Sequence, residues 1–229
     1  MLAIFKREFK SYFQNVIGWL FVAALLAVYG LYFYVYNLKN GYPYISYDLK
    51  GIGFIMMIAV PILTMRSLSD ERKTKTDQLM LTSPVSVGRI VAGKYFAMAA
   101  VYTIVIALFA LSPLVLSIYG KVALSEAYVA LFGYWLYGLS CIAVGLFISS
   151  ISESVIISAI LTFTALFLSY MMQSITGLIS SSGNLLTKVL NCFDLYTPFE
   201  NFVSGCFSVT SAAYYVTVIL LLCFLTTQS

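Results

Sequence analysis

Histidine is absent from the 229-residue sequence, and charged residues make up only 10% of it. Without histidine, the chain has no histidine-based metal site, catalytic triad or proton relay. The four cysteines form no CxxC pair, so neither a zinc site nor a dithiol redox site is indicated. Asp, Glu, Lys and Arg are missing from the middle of the long apolar runs, which argues against an ion-coupled transporter. It also leaves no acid–base pair for catalysis within a membrane, so we expect no catalytic residue, metal or cofactor.

Apolar residues are abundant instead and make up 61% of the sequence. A soluble domain carries about 25% charged residues, and a chain as apolar as this one would expose too much apolar surface to water. The sequence therefore predicts an all-α integral membrane protein with one transmembrane domain over residues 1–229. The net charge of +4 is modest, and we interpret it as positive charge on the cytoplasmic side, not as nucleic-acid binding.

The long apolar runs predict six transmembrane helices. They cover about residues 17–36, 52–65, 95–118, 127–148, 155–175 and 211–229. Residues 37–50 predict a polar loop, of which residues 42–47 could extend the second span through the interface. Pro61 lies inside the second span and should kink it.

Two further segments have an amphipathic pattern. Residues 1–15 alternate apolar and basic side chains at helical spacing, which favours a basic helix on the membrane surface, with a mere polar flank of the first span as the alternative. Residues 177–208 contain two sets of apolar residues at helical spacing, separated by Pro198. They predict an extracytoplasmic hairpin of two short helices over residues 185–207.

The distribution of Lys and Arg predicts the orientation. With the N-terminus inside, nine of the thirteen fall on inner segments and four on outer segments. We therefore expect both termini to be cytoplasmic. The outer residues are Lys39, Lys50, Lys121 and Lys188, and the inner ones are Lys6, Arg7, Lys10, Arg66, Arg72, Lys73, Lys75, Arg89 and Lys94.

The segment GRIVAGKY at residues 88–95 nearly matches the phosphate-binding pattern GxxxxGK[ST]. Tyr95 stands where a Ser or Thr would bind magnesium, and a membrane span follows directly. Its backbone should be helical and unable to surround a phosphate, so the sequence indicates no ATPase site. We expect Arg89 and Lys94 to anchor the third span at the inner headgroups.

Residues 66–94 form the most charged segment of the chain, with six of the thirteen Lys and Arg residues. Ser67 and Asp70 match a capping box, and acidic residues follow in the first helical turn. Leu79 to Leu81 are apolar, and Ser83-Pro84 should end the helix. The pattern predicts a capped, charged helix with an apolar tip over residues 68–81, and a solvated linker is the alternative.

At these residues the sequence resembles the type-2 ABC exporter permeases. The resemblance rests on VPILTMR at residues 60–66, on TDQLMLTSPV at residues 76–85, and on GLFISS at residues 145–150, just before Glu153. It covers the whole chain and is strongest to the gliding-motility-type branch. Many relatives have Gly and Glu where this chain has Lys75 and Gln78.

The resemblance implies a transmembrane permease subunit without its own ATPase. ATP would be bound by a separate cytoplasmic ATPase subunit, and a second permease subunit would complete the pathway within the lipid of a bacterial cell membrane. Pro61 and Pro84 would act as hinges. The residues expected to couple to the ATPase are Arg66, Asp70, Glu71, Lys75, Asp77, Gln78, Leu79, Leu81 and Glu153. A membrane scaffold protein without transport activity is the alternative function.

Overall fold

The structure is a computed structural model that describes residues 1–75, 86–119, 122–179 and 193–228. Throughout these residues the regular structure is helical. In chain order the helices are α1 (Leu2–Gln14), α2 (Val16–Phe33) with a π-helical turn (Tyr34–Lys39), α3 (Ile45–Gly53), α4 (Met56–Thr64), α5 (Ser69–Lys73), α6 (Val87–Phe109), α7 (Ser112–Tyr119), α8 (Leu124–Ile151), α9 (Val155–Ile179), α10 (Thr197–Val203) and α11 (Val209–Gln228).

Five helical segments are long and apolar enough to cross a membrane. They are Val16–Lys39, Val87–Ile118, Leu124–Ile151, Val155–Met172 and Val209–Gln228. The pair Ile45–Gly53 and Met56–Lys73 passes the same test only when its two parts are taken together, and it bends by 58°. By length and composition, the described residues thus contain five continuous candidate spans, or six if the bent pair is counted as one.

The predicted polar loop at residues 37–50 is largely helical. The π-helical turn continues the first span to Lys39, and α3 begins at Ile45. Ile45, Leu49 and Ile52 recur at helical spacing and are buried, so this apolar face holds α3 against the bundle. The loop prediction was wrong because the apolar face of α3 has only a few residues. The tyrosines and charged residues between them make the segment look polar in the sequence.

The bend in the second span does not lie at Pro61. It falls between Gly53 and Met56, whereas Pro61 is buried inside α4. The chain changes direction where the backbone of Phe54 and Ile55 leaves the regular α-helical pattern, one to two turns before the proline. The hinge role of Pro61 stays a prediction.

Helix α8 forms the centre of the bundle. Most of its membrane-spanning stretch is buried, whereas most of α2, α9 and α11 faces outward. It packs against α4, α6, α9, α10 and α11. Small residues allow this packing, because a Cβ atom at Gly145 would overlap the Thr64 side chain of α4. One at Gly138 would overlap Tyr102 of α6.

The structure describes only part of the predicted hairpin at residues 177–208. Residues 180–192 lie outside the described residues, and with them most of the first predicted short helix. The second is α10, which carries Pro198 in its first turn, where a proline needs no hydrogen-bond donor. The Asp194 carboxylate accepts hydrogen bonds from the backbone N–H groups of Tyr196 and Thr197, each at 2.9 Å.

Candidate functional site

Lys94 lies at the centre of a buried ion cluster. It belongs to α6 and is only 2% exposed. Its ammonium Nζ donates to the Ser67 carbonyl oxygen at 2.7 Å and to Glu71 Oε1 at 2.8 Å, and lies 3.6 Å from Glu8 Oε1. The prediction that Lys94 anchors α6 at the lipid headgroups was therefore wrong. Its side chain is covered by α1 and by the segment that leads into α5.

The cluster compensates the charge that it buries. Two carboxylates and a carbonyl oxygen surround one ammonium group, and two of the three, Glu71 and the Ser67 carbonyl, accept hydrogen bonds from it. Arg7 adds a second cation, with Nη2 at 2.7 Å from Glu8 and 3.8 Å from Glu71. The Arg7 side chain is 56% exposed, so its pairs contribute little stability. Because Glu8 lies on α1, Glu71 on α5 and Lys94 on α6, the cluster joins three helices.

Helix α1 is held against α6 and α4 by apolar and polar contacts. A Cβ atom at Gly93 would lie 3.0 Å from the Ile4 side chain, so α1 approaches α6 closely. The Tyr12 hydroxyl donates to the Leu63 carbonyl oxygen at 3.4 Å. Burial raises the pKa of Tyr12 well above its ordinary value, and the Glu8 carboxylate raises it further. The hydroxyl therefore remains a neutral donor at physiological pH.

Helix α5 receives its N-terminal cap from another helix. The Ser149 hydroxyl of α8 accepts hydrogen bonds from the backbone N–H groups of Leu68 and Ser69, both at 3.1 Å. The predicted Ser67–Asp70 capping box is wrong, because Leu68 is the N-cap residue and no side chain in the described part of the segment caps it. These N–H groups have no partner within the helix, and Ser149 satisfies them.

The end of α5 also differs from the prediction of one helix over residues 68–81. The helix ends at Lys73, and Lys75 follows with a φ of 55°. A left-handed residue just after a helix stops its propagation. The remaining predicted coupling residues, Asp77, Gln78, Leu79 and Leu81, and the predicted hinge Pro84 lie outside the described residues.

A cavity of about 500 Å³ opens beside the ion cluster. Three basic residues (Arg7, Arg66, Lys94) and three acidic residues (Glu8, Asp70, Glu71) contribute to its wall. Arg66 and Asp70 are exposed, and neither forms an ion pair with any residue that the structure describes. The cavity therefore presents both signs of charge at its rim, next to the buried Lys94.

The segment that resembles a phosphate-binding loop is helical, as the sequence predicts. Residues 88–94 lie in the first two turns of α6. Its backbone N–H groups beyond the first turn pair within the helix and cannot surround a phosphate.

We call Glu8, Glu71, Lys94 and Ser149 the charge junction. Of these, only Glu71 was predicted as a coupling residue. Glu153 was predicted with it and is exposed just after the end of α8, and its coupling role stays a prediction. Ser149 lies in the last turn of α8 and contacts the start of α5. The sequence contains only weak signals for two of the other residues. Glu8 is an acidic residue in a basic segment, and Lys94 lies in the segment that nearly matches a phosphate-binding loop.

Comparison with known proteins identifies the family. The sequence model described as "ABC-2 family transporter protein" matches residues 32–227, which is most of the chain. A search of curated proteins gave no match. Members of this family are membrane components of ABC transporters, which in general work with an ATPase in a lipid environment. The chain therefore belongs to the ABC-2 family of transporter proteins and is a multi-pass permease component of an ABC transporter.

Proposed function

We propose that the chain is the transmembrane subunit of an ATP-driven exporter and that its charge junction receives the movement of a separate ATPase subunit. The ATPase binds and hydrolyses ATP, and a second permease subunit, identical or different, completes the pathway between the two. The protein lies in a bacterial cell membrane with both termini in the cytoplasm. Its affiliation to the gliding-motility-type branch is supported by the sequence resemblance alone.

The ion pairs and hydrogen bonds around α5 carry this proposal. Glu71 connects α5 to α6 through Lys94, and Lys94 in turn lies near Glu8 of α1. Ser149 connects the start of α5 to α8, the central helix. A force on α5 therefore acts on three other helices through direct polar contacts, without a flexible linker between them.

The exposed residues around α5 supply a docking surface. Arg66 and Asp70 lie at the rim of the cavity, and Lys73 and Lys75 are exposed at the end of the helix. Rim charges of this kind steer the approach of a partner, while a few apolar anchors supply most of the affinity. The sequence provides such anchors directly afterwards, in Leu79 and Leu81.

Docking is tested by co-purification of the ATPase with Leu79→Asp, with Lys73→Ala as the matched control. Loss of an apolar anchor costs on the order of 2 kcal/mol, roughly a thirtyfold loss of affinity. Loss of one exposed charge costs about 0–1 kcal/mol. We expect Leu79→Asp to insert normally but to release the ATPase, and Lys73→Ala to retain it. If Leu79→Asp retains the ATPase and its stimulated turnover, this segment is not the docking site.

The orientation is tested separately by cysteine labelling in intact cells. A cysteine at Thr74, on a cysteine-free background, should react with a membrane-impermeant maleimide only after the cells are opened. Labelling of this residue from outside would contradict the proposed topology.

A further inference from the structure

A second buried polar cluster lies between the first span and α3, at the end of the first span opposite α1. Asn37, in the π-helical turn, is 5% exposed, and Asp48, in the first turn of α3, is 0% exposed. Asn37 Nδ2 donates a hydrogen bond to Asp48 Oδ2. The other side-chain oxygens, Asn37 Oδ1 and Asp48 Oδ1, are buried and have no hydrogen-bond partner among the residues that the structure describes. We call Asn37 and Asp48 the acceptor pair.

The acceptor pair lacks a positive charge of its own. Lys50 is close in sequence, but it is 46% exposed and pairs with Glu200 at 2.9 Å. No lysine or arginine in the described part of the chain forms an ion pair with Asp48. A buried carboxylate without a counter-charge is costly, and a buried acceptor without a donor adds to this cost. An ionisable residue in such a place within a membrane protein is a candidate functional site.

The surrounding helices bury the pair. A Cβ atom at Gly51 would overlap the Tyr32 ring, so α3 lies close against the first span next to Asp48. On the first span, two turns before Asn37, the Tyr29 hydroxyl is hydrogen-bonded to Ser112, and both residues are at least nine-tenths buried. Asp48 lies in the first turn of α3, where the positive end of the helix dipole offsets part of the cost of burying its carboxylate.

We propose that the acceptor pair binds one monovalent alkali cation, of the size of sodium or potassium. A single carboxylate balances a single positive charge. Hard cations prefer oxygen ligands, such as those of carboxylates and amides, over soft sulfur ligands. Divalent ions usually draw on several carboxylates, and no group of three or more His, Cys, Asp or Glu residues that could hold a metal occurs in the described ranges. The bound cation fixes α3 against the π-helical turn of the first span.

The test is the thermal unfolding midpoint of the purified full-length protein in nanodiscs. Sodium, potassium or lithium chloride is exchanged for choline chloride at constant total salt and constant pH. A ligand that binds only the folded state raises the midpoint as its concentration increases. We expect this increase for at least one alkali cation with the wild-type protein, and no such increase with Asp48→Asn.

Two further variants keep the test decisive if Asp48→Asn does not fold. Asn37→Ala removes one oxygen but keeps the charge of Asp48. It should need at least about ten times more cation for the same rise in the unfolding midpoint, because loss of a supporting group at a metal site lowers the affinity by about this factor. Lys50→Gln, which alters the exposed neighbouring ion pair, should respond like the wild type. The proposal is wrong if alkali cations and choline give the same wild-type midpoint. It is equally wrong if Asn37→Ala needs no more cation than the wild type.

Discussion

The charge junction and the acceptor pair are both buried polar clusters, but they differ in how far their groups are satisfied. At the charge junction, Lys94 has three oxygen partners from α1, α5 and the segment before α5. At the acceptor pair, Asp48 has one described donor, Asn37, and two oxygens have none. A satisfied cluster holds helices in one arrangement, whereas an unsatisfied one favours a bound ion. The proposed roles differ accordingly: the charge junction would transmit movement between helices, and the acceptor pair would bind a cation.

The largest expected effect comes from reversing the charge at the junction. Lys94→Glu brings a third carboxylate next to Glu8 and Glu71 and removes their common cation. Removal of one partner from a buried pair costs about 3–5 kcal/mol. Lys10→Glu, a charge reversal at an exposed lysine of α1, is the control and should change the free energy of unfolding little. Denaturant unfolding in detergent measures both, and equal stability of the two variants would contradict the importance of Lys94.

A smaller effect is expected from filling the contact between α4 and α8. Gly145→Ala places a methyl group against Thr64 and should cost about 1–3 kcal/mol through overpacking. Gly30→Ala is the control, because a Cβ atom there meets no described atom within 4 Å. Thermal unfolding compares the two. If the acceptor pair is independent of this contact, both variants keep the wild-type response to alkali cations, and loss of that response in Gly145→Ala would show that the regions are coupled.

The cap that α8 gives to α5 should contribute less. Ser149→Ala leaves the N–H groups of Leu68 and Ser69 without an acceptor, and loss of a helix cap costs about 1 kcal/mol. Ser150→Ala is the matched control, since that hydroxyl bonds only the Phe147 carbonyl of its own helix among the described residues. Hydrogen–deuterium exchange should be faster at residues 68–73 in Ser149→Ala alone. Identical exchange in the two variants would rule out the role of Ser149 as a cap.

The smallest effect is expected at the exposed ion pair near the acceptor pair. Lys50→Gln breaks the contact with Glu200, whose side chain is 29% exposed. Such pairs contribute about 0–1 kcal/mol. The unfolding midpoint should therefore change by at most a few degrees. A loss comparable to that of Lys94→Glu would mean that Lys50, and not a bound cation, compensates Asp48.

The long helices could be predicted from the sequence because their signals are local. Apolar runs of 18 residues or more locate α2, α8 and α11 to within a few residues, and the amphipathic spacing locates α1. Each of these elements is recognisable without knowledge of its neighbours.

The polar contacts could not be predicted because they join distant parts of the chain. The cap of α5 comes from Ser149, which is 81 residues after Leu68. Ser67 and Asp70 match the sequence pattern of a capping box, but in the structure the hydroxyl of the distant Ser149 caps the helix instead. Lys94 was predicted to reach the lipid headgroups because it lies near the end of a span, but α1 covers its side chain. Asp48 was assigned to a loop because α3 has only nine residues and a short apolar face.

The most direct test of the account is the turnover of the ATPase in complex with the permease. Lys94→Met removes the charge that connects α5 to α1 and α6 but leaves the predicted docking anchors Leu79 and Leu81 unchanged. If the charge junction transmits the movement, this variant should still co-purify with the ATPase, while permease-stimulated ATP turnover falls at least about tenfold, or roughly 1.4 kcal/mol in the barrier. Lys10→Met should keep wild-type turnover. Wild-type turnover in Lys94→Met, with the ATPase bound, would contradict the central claim.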